Sequence, residues 1–327
     1  MKRIVKVFVL VSLSFLFSIL AVFVIAERYF FTIFFESKSS AHGYWPEDKN
    51  LSIADFGKRG EDVLYLKRLA QEEDIDATFH TSDSRRKIAF ISDSFGWGNG
   101  LRFKYAPSEQ LEKRLRHLNK NFEVLSLSMG GESLLDHAVK ADILNRADNI
   151  EYYIFLIVDN DFLLTPSDDF YPSEVYKNII SECEKQFQDK KVIRHPPWNA
   201  LAEDKKRSAE EAYELSYKSD PNICIFEKSL DLILTKTEGK SIFVISDYQE
   251  HKSQVLQLII DIFNKHKVQY IDSYRGKENP KYRSCWEDEQ SLKKCFWVTK
   301  NDSHPSPLLN QMYTDLIMDH FRSMNLL

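Results

Sequence analysis

Residues Tyr152 to Val158 read Tyr-Tyr-Ile-Phe-Leu-Ile-Val, seven apolar or aromatic positions without a polar break. A strand with one face in water alternates apolar and polar side chains, whereas one that is apolar throughout is covered on both faces. This segment therefore belongs in the middle of a layered sheet, and the surrounding sequence supplies the layers. Short apolar runs at Lys87–Ser92, Phe122–Ser128, Ser241–Ser246 and Val268–Asp272 complete a set of five expected strands. Between them the pattern turns helical. Pro107–Leu118 opens on a proline, which the first helical turn tolerates. Glu132–Ala147, Pro172–Gln188 and His251–Lys265 follow, and a last helix is expected over about Ser306–Met324. Residues 190–222 read as irregular. Strand–helix alternation implies a parallel sheet with helices on both faces. Ligands of such sheets bind beyond the carboxyl ends of the strands, so chemistry is to be sought there.

The N-terminal stretch has a different character. Lys2, Arg3 and Lys6 precede an uncharged run from Val7 to Ala26, about the length needed to cross a bilayer core. Glu27 and Arg28 add no net charge after it, so the positive-inside rule puts the N-terminus in the cytoplasm and the remainder outside. A signal peptide cleaved after Val24-Ile25-Ala26 is the alternative. The run exceeds a usual signal core, and Tyr29–Phe35 extends it with aromatics, which favours an uncleaved anchor. The expected organisation is a cytoplasmic tip and transmembrane anchor over 1–30, a polar stalk over 31–84 with a helical stretch near Glu61–Glu73, and a globular domain over 85–327.

Composition sets bounds on the partners. The chain has 327 residues, 43% of them hydrophobic and 28% charged, which suffices for a large core. The formal charge of −5 is mild and its signs are interspersed, so no nucleic acid partner is expected. Cys183, Cys224, Cys285 and Cys295 all lie beyond the anchor, where disulfides persist. Cys285 and Cys295 flank a charged loop; if they pair, Cys183 is left for Cys224. Four cysteines allow three connectivities, and four free thiols are the alternative. No CxxC or HxxxH spacing is present, so no metal site is expected.

Four strand-end or helix-start segments carry candidate chemistry. The first strand runs into Ser92-Asp93-Ser94-Phe95-Gly96-Trp97-Gly98, where the glycines loosen the backbone around an exposed serine. Serine is a poor nucleophile without a base. The second strand ends at Ser128-Met129-Gly130-Gly131, and paired glycines before a helix let a backbone N–H face an anion. The third ends at Asp159-Asn160-Asp161, which offers an amide donor. Near the C-terminus, Asn301-Asp302-Ser303-His304-Pro305 places a carboxylate two residues before a histidine, ahead of the last helix. Singly, each segment has an ordinary reading as a turn or a cap.

In this order the four segments resemble the blocks of the SGNH/GDSL hydrolase family, over roughly Arg85 to Leu327. Ser92-Asp93-Ser94 resembles the Gly-Asp-Ser block, Gly131 stands at the oxyanion glycine, Val158-Asp159-Asn160-Asp161 resembles Gly-x-Asn-Asp, and Asp302-Ser303-His304-Pro305 resembles the last block. The resemblance implies a three-layer α/β/α sandwich, flavodoxin-like, around a parallel five-stranded sheet. It implies Ser94 as nucleophile, His304 as base, and an oxyanion hole from the N–H groups of Ser94 and Gly131 with the Asn160 amide. No cofactor or metal is implied. Ser92 departs from the usual glycine, and Asn301 holds the place of the usual aspartate three before the histidine. Asp302 is expected to orient His304 in its stead. The implied activity is ester hydrolysis on an extracytoplasmic acylated glycan or lipid. An acyltransferase onto a cell-surface polymer uses the same triad, and a catalytically silent binding or assembly protein is the remaining alternative. No Gly-x-Ser-x-Gly elbow supports an α/β-hydrolase reading.

Overall fold

A computed structural model describes residues 86–98, 101, 103–147, 150–162, 164, 174–188, 190, 192–194, 214–246, 253–299 and 302–327. The expected anchor and stalk, and Asn301, lie outside the described residues. Among the described residues no helix is long and apolar enough to cross a membrane.

Five strands form one parallel sheet: β1 (Arg86–Ile91), β2 (Phe122–Ser126), β3 (Ile150–Ile157), β4 (Ser241–Ile245) and β5 (Tyr270–Asp272), in the order β2-β1-β3-β4-β5. A separate antiparallel pair, β6 (Trp297–Thr299) and β7 (Asp302–Pro305), lies near the C-terminus. The helices are α1 (Ser94–Trp97), α2 (Pro107–His117), α3 (Leu134–Ala147), α4 (Glu174–Gln186), α5 (Asp220–Thr237), α6 (Gln254–Lys265), α7 (Glu289–Phe296) and α8 (Pro307–Ser323).

Strand parity sorts the core into two layers. Ala89, Ile91, Phe155, Ile157, Phe243 and Ile245 pack with α3, α4, α5 and α6. Ile88, Phe90, Ile154, Leu156, Ile242 and Val244 pack with α2, α7 and α8. On the first face Phe155 stacks on Phe243 at 5.2 Å, and Phe243 meets Phe263 of α6 edge-on at 5.1 Å. Burying a side chain of this kind contributes about 1.5–3 kcal/mol, so a strand apolar on both faces is stabilised from both.

The labelled elements with no counterpart among the sequence-based expectations are α1, α5, α7 and the β6–β7 hairpin. α5 begins within the stretch read as irregular, with Ser219 at its N-cap position and Pro221 in its first turn. It packs on α3, and residues 132–144 are buried without interruption. The structure joins Cys183 on α4 to Cys224 on α5, and Cys285 to Cys295 at the end of α7.

Candidate active site

The order of the sheet reverses between β1 and β3. Loops leaving two such strands diverge and open a crevice at their carboxyl ends. Ser94 follows β1 and Asn160 follows β3, so both stand at that crevice.

Ser94 opens α1. Asp93 caps this helix, its Oδ1 accepting the Phe95 N–H at 2.9 Å. Gly98 ends it at φ +69°, where a side chain would be strained. Gly96 has a different use. A Cβ there would lie 2.5 Å from both Ser128 Oγ and Ser92 Cβ, so glycine lets α1 press against the loop that leaves β2. That loop continues alongside β1, with Leu127 N donating to Phe90 O at 2.9 Å and Met129 N to Ser92 O at 3.2 Å. It then turns through Gly130 and Gly131, the latter at φ +82°. A Cβ on Gly130 would lie 3.6 Å from Ser94 Cβ, so the turn passes directly against the serine.

After β3 the chain makes a short 3-10 turn over Asp159–Phe162. Asp161 fastens its start by accepting the Val158 N–H at 2.8 Å. The Asn160 side chain then reaches across to β1, where its Nδ2 donates to Asp93 Oδ2 at 2.9 Å.

His304 comes from the far end of the sequence. It lies in β7, which pairs with β6 through Thr299 opposite Asp302 and Trp297 opposite Pro305. Ser306 ends the hairpin. Its N–H donates to Phe296 O at 2.8 Å, its hydroxyl donates to Cys295 O, and that hydroxyl oxygen caps α8 by accepting the Leu309 N–H at 3.2 Å. Held this way, His304 places Nε2 3.1 Å from Ser94 Oγ, with the Phe95 ring 5.6 Å from its own. Asp302 stands two residues earlier in β7, but its side chain lies outside the described residues.

The Ser94 hydroxyl thus has one hydrogen and two acceptors at the same distance: His304 Nε2 and, also at 3.1 Å, Asp93 Oδ2. The hydrogen bonds of Asp93 to Ser94 and Asn160 were not expected from the sequence. An aspartate directly before a helix start signals an N-cap, which would have placed its carboxylate over the first turn of α1 and so beside Ser94.

Beneath these residues lies a buried polar layer. Burial raises the pKa of Asp93, against hydrogen bonds from the Phe95 N–H and Asn160 that favour the anion. Burial also holds Asp161 well above the carboxylate range, reinforced by the nearby charge of Asp93. The fully buried His137 ring lies 3.9 Å from Asp161, and burial lowers its pKa well below the ordinary value, with the Lys140 charge acting the same way. Glu132 is pushed up to about 8 by burial, against the pull of Lys140. Among the described residues no cluster of three or more His, Cys, Asp or Glu is arranged to hold a metal ion.

No protein-family profile matches the sequence, and no curated protein matches it. Solved structures do align with the chain. A lipase/acylhydrolase from Enterococcus faecalis aligns at 12% identity with a TM-score of 0.42, over 73% of this chain and 96% of its own. The esterase EstA from Pseudoalteromonas sp. aligns at 10% identity and a TM-score of 0.40, over 74% and 100%. An acetylxylan esterase from Geobacillus stearothermophilus aligns at 10% identity and 0.41, over 72% and 93%. At these identities and scores, the reading of the site rests on its own geometry. The parallel five-stranded sheet with helices on both faces matches the SGNH-like fold that the four sequence blocks imply.

Proposed function

We propose that this chain is a serine ester hydrolase with Ser94 as nucleophile and His304 as general base. One observation carries the reading: two residues 210 positions apart in sequence meet at 3.1 Å, nucleophile to ring nitrogen, at the crevice beyond the sheet. A hydroxyl needs such a base to attack a carbonyl near neutral pH.

In the reaction, Ser94 Oγ bonds to the ester carbonyl carbon as its proton passes to His304 Nε2. The carbonyl oxygen becomes an oxyanion, held by the N–H groups of Ser94 and Gly131 and by Asn160. The Asn160 amide has two hydrogens. With one on Asp93, the amide is oriented and the other hydrogen serves the oxyanion. Collapse expels the alcohol, which takes the proton from His304. Water then repeats the sequence on the acyl-serine, releasing the acid and restoring Ser94. Asp302 is proposed to orient the imidazole and stabilise its cationic form. The substrate is an acyl ester, such as an O-acetyl group on a glycan or the acyl chain of a lipid. The test is labelling with a fluorophosphonate and mass mapping of the adduct, alongside hydrolysis of p-nitrophenyl acetate. A folded protein that is neither labelled at Ser94 nor active on any ester would overturn the reading.

The uncharged Val7–Ala26 run behind Lys2, Arg3 and Lys6 supports a second part of the proposal: a single-pass anchor with the catalytic domain outside the membrane. The protein should then stay with membranes through carbonate and high salt, and protease added to spheroplasts should digest the domain. A soluble mature form starting near Glu27 would replace the anchor with a cleaved signal peptide.

A further inference from the structure

Lys140 is the most unusual side chain in the core. It sits in α3 and is fully buried, yet carries an ammonium group. Taking an ammonium out of water costs several kcal/mol unless it is paired and hydrogen-bonded. Its Nζ donates to the backbone carbonyl of Leu127 and to Glu132 Oε2. Glu132 Oε2 in turn accepts the Met129 N–H at 3.1 Å. These partners bracket one short segment. Leu127 begins the loop after β2, Glu132 ends it, and Gly130 and Gly131 turn between them against Ser94. The start of α3 is fixed separately, by Ser133 and Asp136. Ser133 N donates to Asp136 Oδ2 at 2.8 Å, and Asp136 N donates back to Ser133 Oγ at 3.4 Å. That reciprocal cap already secures the helix, so the bonds of Lys140 act on the loop rather than on the helix.

We infer that Lys140 and Glu132 are positioning residues for the oxyanion loop: a buried clamp that holds both ends of Leu127–Glu132 so that the Gly131 N–H faces the carbonyl attacked by Ser94. The inference rests on the serine hydrolase reading and adds to it the device that sets one donor of the oxyanion hole. A turn through two glycines has wide conformational freedom, and an oxyanion donor acts only within hydrogen-bond reach of the oxyanion. A tether at each end of the turn removes that freedom. Neither residue touches the reacting atoms.

The test uses Lys140→Met and the double variant Lys140→Met/Glu132→Leu. Exchanging both members of a buried charged or hydrogen-bonded pair such as Lys140–Glu132 for apolar side chains of similar size is often neutral or stabilising, whereas removing one alone is not. A purely structural clamp therefore predicts that the double variant recovers both stability and rate. A positioning clamp predicts that it melts at or above the wild-type temperature and stays slow. We expect kcat on p-nitrophenyl acetate to fall about ten- to hundredfold in both variants with KM unchanged, somewhat less than deleting an oxyanion donor outright. The rate of Ser94 phosphonylation should fall in parallel. Glu112→Gln is the control. Glu112 is another buried carboxylate, accepting the Val124 N–H at 3.2 Å and pairing with Arg116 on the opposite face of the sheet. Its loss should lower the melting temperature and leave kcat alone. If Lys140→Met does not fold, Glu132→Gln keeps the shape and one acceptor and reads the same kcat-against-KM split. Wild-type kcat in the folded variants, with Ser94 still labelled, would overturn the clamp alone. Absence of labelling and turnover in the wild type would instead overturn the hydrolase reading, and the clamp with it.

Discussion

The serine side and the histidine side of the site are held by different means. Ser94 follows directly from β1, a strand paired on both edges, and its neighbours bond into the loops after β2 and β3. Its position is set by the sheet itself. His304 sits outside that sheet, on a two-stranded hairpin bounded by α7 and α8. What steadies it is local: the Ser306 bonds to the end of α7, and the Cys285–Cys295 bridge at that same end. The proposed nucleophile, built into the core, and the proposed base, carried on an attached hairpin, should respond differently to damage, except where the damage is to the chemistry itself.

The largest effect should therefore be shared by both sides. Ser94→Ala and His304→Ala are each expected to lower kcat by about ten-thousandfold or more, and the double variant should be no slower than the slower single, because members of a catalytic unit are not additive. A double variant much slower than either single would separate the two residues into different sites.

The next effect belongs to the histidine side. Asp302 lies in β7 two residues before His304. A carboxylate that orients the base and stabilises its cation is worth about a thousand- to ten-thousandfold in kcat. Asp302→Ala should show a loss of that order and Asn301→Ala a modest one, since a neutral amide cannot stabilise the cation by charge. A fully active Asp302→Ala enzyme would leave a Ser–His dyad.

The two disulfides sharpen the comparison further. Cys183–Cys224 spans 41 residues and joins α4 to α5 in the layer beneath the serine side, while Cys285–Cys295 spans 10 and abuts the histidine hairpin. By loop-closure entropy, removing the longer bridge costs about 4 kcal/mol and the shorter about 3 kcal/mol. Replacing both cysteines of the longer pair by serine should lower the melting temperature more. Replacing the shorter pair should lower kcat more, because it frees the end of α7 that Ser306 holds. The reverse ranking in kcat would show that the hairpin holds itself.

The same division governs what the sequence made legible. The serine side follows from general rules: apolar runs mark the strands, the alternation implies a parallel sheet, and ligands gather at its strand ends, so the sequence alone makes Ser94, Gly131 and Asn160 candidates. The hairpin carrying His304 is three and four residues per strand, too short for periodicity to register. Its histidine was found only through the Asp-x-His-Pro block ahead of a helix. α5 is illegible in the sequence for another reason. Its apolar residues, including Ile225, Phe226, Leu230 and Ile233, follow a polar stretch read as irregular. Lys140 was invisible because α3 is covered on every side. Where residues 132–144 are all buried, the helical period no longer separates solvated from core positions, and a lysine reads like any surface lysine.

The smallest predicted effect concerns pH, and it also falls on the serine side. Asp93, Asp161 and Glu132 all have pKa values raised by burial, and Glu132 is carried to about 8. An acid with a higher pKa folded than unfolded binds its proton more tightly in the folded state. Its contribution is then full below the unfolded value and is lost as pH rises through the folded one. For Glu132 that window runs from 4.5 to about 8, so stability should decline with rising pH across it. Lys140 limits the decline by favouring the anion. Glu132→Gln cannot ionise, so its melting temperature should fall less steeply over the same window while that of the wild type keeps its full slope. Asp93 and Asp161 remain in the variant, so the slope should shrink rather than vanish. On the histidine side, Asp288→Asn removes an exposed carboxylate whose pKa is lowered by the Ser291 N–H. Its contribution is present above the unfolded value and lost as pH falls, so that variant should differ from the wild type above about pH 4 and leave the slope towards pH 8 unchanged. Melting curves of the three proteins at closely spaced pH values decide the matter: an unaltered slope in Glu132→Gln would mean that the clamp carries no titratable strain in this range.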